Sequence, residues 1–216
     1  MKLVAISVGK PRDVQWRGRS VETSIFKTPV SGRVHVARGN VEVTSNRICR
    51  FTADPEKAVY AYPAEHYDFG VANCRMRNWL GAHSGENFTT EGLLEDEVWI
   101  GDRYRVGTSG NSLSRSRACP ATSWRIRFGH PDMVKRFPPE PPQRVLSRRG
   151  ARRRGRCRRC YRAARASERR LTVADVVTLY AADSANQQLL ENASDHPSLP
   201  AAWREHFRKR LWAPGA

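Results

Sequence analysis

The most legible pattern in the chain lies at residues 85–107. The β-formers Val98, Ile100, Tyr104 and Val106 are punctuated there by glycines at 92, 101 and 107. This predicts a turn, a short β segment, an acidic turn, a strand ending at Gly101-Asp102, and a second strand from Arg103 to Val106. Upstream, residues 3–8 alternate weakly and predict a first strand. Thr23–Lys27 and Gly32–Val36 predict two more, joined by a turn at 29–32. Beyond residue 171 the period of apolar positions lengthens to that of a helix. Thr172 and Asp175 form a capping-box pattern for a helix over 173–182, with Val173, Val176, Val177 and Tyr180 at helical spacing. Ser184 and Gln187 repeat the device for a second helix to about Ala193. Pro200 opens a third, with Trp203, Phe207 and Leu211 four residues apart and basic residues 208–210 in the last turn. The chain is therefore expected to be α+β and mainly β, ending in a small three-helix bundle over 168–212.

A chain of 216 residues suffices for one sizeable core, or a core domain and a small second one. It has no apolar run of about 18 residues, so no membrane partner is expected. Residues 1–8 read as a strand better than as a signal peptide, which makes a cytoplasmic location the default expectation. The net charge of +17 would suggest a nucleic-acid partner until it is located. Residues 144–170 hold thirteen arginines and one acid, Glu168, a net of +12; 17 less 12 leaves an ordinary +5 for the remainder. The arginine-rich segment 147–167 reads as a linker between residues 1–146 and the helices. As an RNA- or DNA-binding arm it would neutralise several phosphates. Its only aromatic is Tyr161, however, which leaves base stacking poor.

Several residues carry candidate chemistry. Gly85-Glu86-Asn87 sets a carboxylate and an amide beside a glycine, where backbone can approach a ligand closely; an ordinary polar turn is the competing reading. Lys57, Tyr60, Tyr62, Glu65 and His66 combine a cation, phenols, a carboxylate and an imidazole within ten residues. They read equally as a site or as the surface of a strand-to-helix junction. Lys27 is either a solvated edge charge or an anion ligand. The five cysteines, at 49, 74, 119, 157 and 160, are odd in number and do not argue for disulfides. Cys157 and Cys160 have the spacing of half a zinc site, but no second pair completes it.

Gly-Glu-Asn-Phe-Thr-Thr-Glu-Gly at 85–92, followed by Val-Trp-Ile-Gly-Asp-Arg-Tyr-Arg-Val-Gly at 98–107, resembles the middle of a MOSC-domain protein. It is most similar to the bacterial subgroup in which a three-helix domain follows the MOSC domain. Residues 8–11, 23–30, 57–67 and 127–129 agree with that family in order, and residues 171–211 fit its helical appendage. The resemblance implies a MOSC-type, barrel-like mixed β domain over 1–146, with the three-helix domain after it. It also implies the molybdenum cofactor (molybdopterin). The implied activity is reduction of N-hydroxylated compounds such as hydroxylaminopurine-like base analogues, with electrons from a separate donor protein. Pyridoxal phosphate binding is a further term attached to the family. Carried over residue by residue, Lys27, Lys57 and Arg127 would meet the pterin phosphate through charge-assisted hydrogen bonds. Tyr60 and Arg117 would also line the cofactor site, Glu86 and Asn87 would form polar walls, and His66 would be an acid–base residue.

The chain departs from the family pattern in places. The family cysteine, a soft ligand for metal or sulfur, is expected in an Arg-x-Pro-Cys setting about six residues before the arginine matched by Arg127. Here the order is Arg117-Ala118-Cys119-Pro120, and spacing assigns the family position to Ala121. Cys119 is thus a catalytic and metal-ligand candidate out of register. Residues 43–54 lack the expected Gly-Asp-x-x-x-Asp-Leu-x-Val-His-Gly-Gly. GC-rich codons for that segment, read one base out of phase, restore it. Similar rephasing works at 70–84 and 119–124, and 138–170 have the composition of an out-of-frame read. An inactive, frameshifted relic is therefore the alternative to an enzyme, beside an arginine-rich nucleic-acid-binding module.

Overall fold

The computed structural model describes residues 1–32, 34, 36–37, 40–41, 59–67, 82, 84–106, 110–117, 122–129, 145–150, 161–165, 170–181 and 186–212. Its strands are β1 (Lys2–Val8), β2 (Arg12–Trp16), β3 (Arg19–Thr23), β4 (Thr28–Pro29), β5 (Val36–Ala37), β6 (Asn40–Val41), β7 (Val59–Pro63), β8 (Phe88–Glu91), β9 (Arg103–Val106), β10 (Gly110–Arg117), β11 (Val145–Gly150) and β12 (Tyr161–Arg165). The helices are α1 (Thr122–Phe128), α2 (Val173–Ala181), α3 (Gln187–Ser194) and α4 (Ala201–Trp212).

One eight-stranded sheet runs in the order β12-β9-β10-β11-β7-β8-β1-β4. Its described pairs are antiparallel except β7 with β8, so the sheet is mixed, as expected. β7, Val-Tyr-Ala-Tyr-Pro, is buried along its whole length. That continuous apolar run is what a strand covered on both faces requires. β8 lies between β7 and β1, with Phe88 opposite Ala61 on one side and Ile6 on the other. The lead-in to β8, residues 85–87, is therefore held from two sides.

The predicted strand Thr23–Lys27 is not formed. β3 ends at Thr23, and residues 24–27 cross to β4 as irregular chain. The strands in that region are instead the hairpin β2–β3, which pairs Val14 with Val21 and Trp16 with Arg19. Its two-residue turn, Arg17-Gly18, has positive φ at both positions, 51° and 74°. This suits the right-handed twist of a hairpin. The turn lacks the usual Asn-Gly signal, which is why the hairpin is hard to read from sequence. Val98–Ile100 likewise forms no strand, only an isolated bridge from Trp99 to Thr172. The arginine-rich segment also differs from a linker. Ser147–Gly150 belong to β11 and residues 161–165 form β12, both paired into the main sheet. Ladder hydrogen bonds join backbone groups that every non-proline residue carries, so an arginine-rich composition does not bar a strand.

At the C-terminal end the Thr172–Asp175 capping box is made in both directions: the Thr172 amide donates to Asp175 Oδ2 at 2.8 Å, and the Asp175 amide to Thr172 Oγ1 at 3.0 Å. α3 starts two residues later than Ser184 would set it. Its cap is Asn186, whose Oδ1 accepts from the Leu189 amide at 3.1 Å. Phe207 of α4 is fully buried, as its spacing predicts. The helices share the sheet's core: Leu3, Val59, Phe88, Leu93, Val98 and Ile100 pack in one cluster with Leu171, Val176, Leu179, Leu190, Leu199 and Phe207. Backbone bonds sew the two parts together. The Ile100 amide donates to Leu171 O, that of Val173 to Val98 O, and that of Ala174 to Glu95 O.

Candidate functional site

The site grows from Gly85-Glu86-Asn87. Gly85 has φ +79°, a conformation that side chains resist, and a Cβ there would collide with Ile25 Cδ1. Glycine lets the 24–27 loop press directly on the lead-in to β8. Next comes Glu86, a fully buried carboxylate. Its Oε1 accepts from the Tyr67 hydroxyl, from the Ala82 amide at 2.6 Å and from the Thr89 hydroxyl at 3.0 Å; its Oε2 accepts from the Ser84 hydroxyl at 2.7 Å. A carboxylate out of water is tolerated when donors surround it, and here four do. The Tyr60 hydroxyl extends the network to Ser84 Oγ at 3.2 Å, and the Trp124 indole of α1 donates to the Ser84 carbonyl at 2.8 Å. Burial pushes the Tyr67 phenol far above its ordinary value, and the Glu86 carboxylate beside it adds to the rise.

Asn87 faces the other way. Its Oδ1 accepts from Lys27 Nζ at 2.8 Å and from the Tyr60 amide at 3.2 Å, while its Nδ2 donates to the Ser7 carbonyl at 3.4 Å. Main-chain bonds fix the same corner: the Asn87 amide donates to Tyr60 O, and the Ser7 amide to Asn87 O, both at 2.7 Å. One asparagine therefore ties β1, β7 and the 24–27 loop together and holds the Lys27 ammonium beside them.

Arg127 enters from the last turn of α1, its guanidinium 5.1 Å from the centre of the Phe26 ring. Its pKa is lowered, first by partial burial and then by the Arg12 guanidinium, with Glu86 acting in the opposite sense. Cationic charge is thus gathered around Phe26-Lys27, next to the buried Glu86 network. Such an arrangement favours an oxyanion, because guanidinium and ammonium groups make charge-assisted bonds to it.

The structure brings Lys27, Tyr60, Glu86, Asn87 and Arg127 into one neighbourhood. His66 is committed elsewhere: its Nε2 lies 2.9 and 3.1 Å from the two carboxylate oxygens of Glu95, and its ring packs edge-on to Tyr62. Glu65 accepts from the Gly92 amide at 2.6 Å. Arg117 ends β10, its Cα opposite Val145 of β11. Lys57 and all five cysteines, Cys119 included, lie outside the described residues, as do residues 43–54 and most of 70–84. Sequence reasoning missed Tyr67, Ser84, Thr89 and Trp124 as partners of the site. Thr89, three residues after Glu86 and within β8, was the one within reach of a local argument.

A model of the MOSC domain matches residues 48–182, well over half of the chain. The chain belongs to the MOSC domain family. A model of the YiiM-like 3-alpha helix domain matches residues 171–212. This MOSC chain is 34% identical over 132 residues to the uncharacterized protein YflK of Bacillus subtilis (strain 168), covering 61% of this chain and 59% of YflK. It is 25% identical over 136 residues to protein YiiM of Escherichia coli (strain K12), covering 62% of this chain and 55% of YiiM. The matched stretch therefore spans less than two thirds of either relative. The crystal structure of YiiM from Geobacillus stearothermophilus superimposes with a TM-score of 0.77 at 27% identity, covering 96% of this chain and 97% of that one. YiiM from Escherichia coli shares the fold at a TM-score of 0.72 and 18% identity, over 98% and 92% of the two chains. Among the described residues, no helix is long and apolar enough to cross a membrane.

Proposed function

We propose that this MOSC protein binds the molybdenum cofactor and reduces N-hydroxylated compounds of the hydroxylaminopurine type. The observation that carries the reading is the gathering of Lys27 and Arg127 beside a rigid polar wall made by Glu86 and Asn87. The cationic pair Lys27 and Arg127 fits the phosphorylated end of a pterin. The thiol proposed to meet the metal, Cys119, lies outside the described residues, so the fit is argued for the phosphate end.

In this reading Lys27 and Arg127 bind the phosphate, with Lys57 and Arg117 as further proposed contacts and Tyr60 as part of the wall. The Glu86 network keeps the lead-in to β8 from relaxing when ligand leaves, because moving it would strand buried hydroxyls and an amide. When bound, the cofactor supplies two-electron removal of oxygen from the N–O bond. The overall reaction takes the hydroxylamino compound, two electrons and two protons to the amine and water, with the electrons delivered by a separate donor protein. His66, whose Nε2 is engaged by Glu95, would exchange a proton through Nδ1.

The test is to purify the full chain from a host that makes molybdopterin, then measure molybdenum by mass spectrometry and released pterin by fluorescence. Stoichiometric metal and pterin are expected, with both lost in K27Q. Turnover of a hydroxylaminopurine under a chemical reductant completes the reading. A folded protein with neither metal nor pterin refutes it and leaves the inactive relic.

A further inference from the structure

The mechanism leaves one cationic residue at this corner unused. Arg12 begins the separate hairpin β2–β3, and its guanidinium carbon lies 3.6 Å from the centre of the Phe26 ring. Arg127 approaches the same ring from α1 at 5.1 Å. A hairpin, the 24–27 loop that follows it and the end of a helix a hundred residues on thus converge on one phenyl group. The two charged carbons are no farther apart than the sum of those distances. A single tetrahedral anion fills such a gap when each guanidinium grips it edge-on. Neither arginine has an ion-pair partner among the described residues.

Like charges gathered on one ring repel, and the ring face offsets only part of this. Both guanidiniums meet the ring through its π system, a contact that spends none of their N–H donors. That is the arrangement of a two-pronged receptor that awaits an anion. Lysine would not serve equally, since a guanidinium presents parallel N–H donors that match two oxygens of one phosphate.

We infer that Arg12 and Arg127, aligned by Phe26, form a clamp for a phosphate dianion, and that Arg12 is a binding residue of the site. The inference rests on the cofactor reading only for the source of that phosphate, a phosphorylated pterin; free phosphate is the other source.

The experiment is calorimetric titration of the dialysed full-length protein with inorganic phosphate at constant ionic strength. Wild type should bind saturably, with sulfate competing and chloride not. R12Q and R127Q should each weaken binding at least tenfold, and R12K should fall between R12Q and wild type. R17Q, in the same hairpin with its guanidinium 5.9 Å from the Trp16 ring, should bind as wild type does. Arg12 is exposed at the start of a strand, so R12Q decides the matter even if R127Q fails to fold. No saturable binding in wild type that carries no pterin, or equal binding in R12Q, overturns the clamp. Acid release of pterin from the same preparations separates the two readings. Pterin found in wild type and depleted in R12Q assigns the phosphate to the cofactor. Phosphate binding that needs Arg12 in a protein without pterin keeps the clamp and refutes the cofactor reading.

Discussion

Replacing Glu86 should be the most damaging single change in the sheet domain outside its apolar core, and the structure gives the size of the loss. Both oxygens accept hydrogen bonds: three donors converge on Oε1 and one on Oε2. In E86A the three hydroxyls can turn toward other acceptors or admitted water, but the Ala82 amide is fixed by the backbone. An unsatisfied buried donor costs about 1–3 kcal/mol, and the lost charge-assisted bonds add to it, so E86A should lose about 3–5 kcal/mol. E86Q keeps the shape. Its amide oxygen can retain the three donors at Oε1, while its NH2 donates to Ser84 Oγ, whose own hydrogen must then turn away. Charged acceptors become neutral ones, and the loss should be about 1–2 kcal/mol. Urea unfolding followed by tryptophan fluorescence measures both, since Trp124 donates to the Ser84 carbonyl within the same network. An E86A protein within about 1 kcal/mol of wild type, or E86Q as damaged as E86A, would refute the claim that the carboxylate organises this loop.

G85A should destabilise the protein by about 2–4 kcal/mol, combining the left-handed backbone penalty with the collision at Ile25 Cδ1. Trimming Ile25 to valine removes that atom, so I25V should be milder in a G85A background than in wild type. Purely additive losses in the double-mutant cycle would show that the collision is not the cause. The raised phenol of Tyr67 sets a pH dependence with a definite sign. A raised folded-state value means that its contribution is complete below the unfolded phenol value near pH ~10 and is lost as pH rises beyond it. Between about pH 9 and pH 11 stability should fall by about 1.4 kcal/mol in total more in wild type than in Y67F, read from urea midpoints. Identical slopes would mean that Tyr67 titrates freely in the folded protein.

The helical end was legible because each helix carries its own start signal and apolar stripe. The Thr172–Asp175 box needs only residues three apart, and the spacing of Trp203, Phe207 and Leu211 is set by one turn. Asn186 displaced Ser184 as the second cap because serine and asparagine are near-equal caps locally, and packing of the following residues decides between them. The β region was legible in pieces. β1, β8 and β9 carry β-formers with punctuation, whereas the β2–β3 hairpin turns on Arg17-Gly18 without the usual dipeptide. β12 hid in an arginine-rich run whose backbone pairs regardless of composition. At the site, Glu86, Asn87 and Lys27 could be named from the motif. That Lys27 lies against Asn87, sixty residues on, is a fact of topology, and no spacing within either segment encodes it. His66 carried the residue type of an acid–base group but lies against Glu95, a partner twenty-nine residues away that only the fold reveals.

The stitching of residues 95–100 to 171–174 has a consequence for how the chain is born. Leu93, Val98 and Ile100 lie against the helices, so these residues stay wet while the sheet segment leaves the ribosome. They dry only when residues 171–212 have followed. A message truncated after the last strand would thus yield more than a shortened protein: it would carry a greasy strip and three backbone groups with nothing to meet. In this molecule neither of the two matched parts is a finished object until the other is in place.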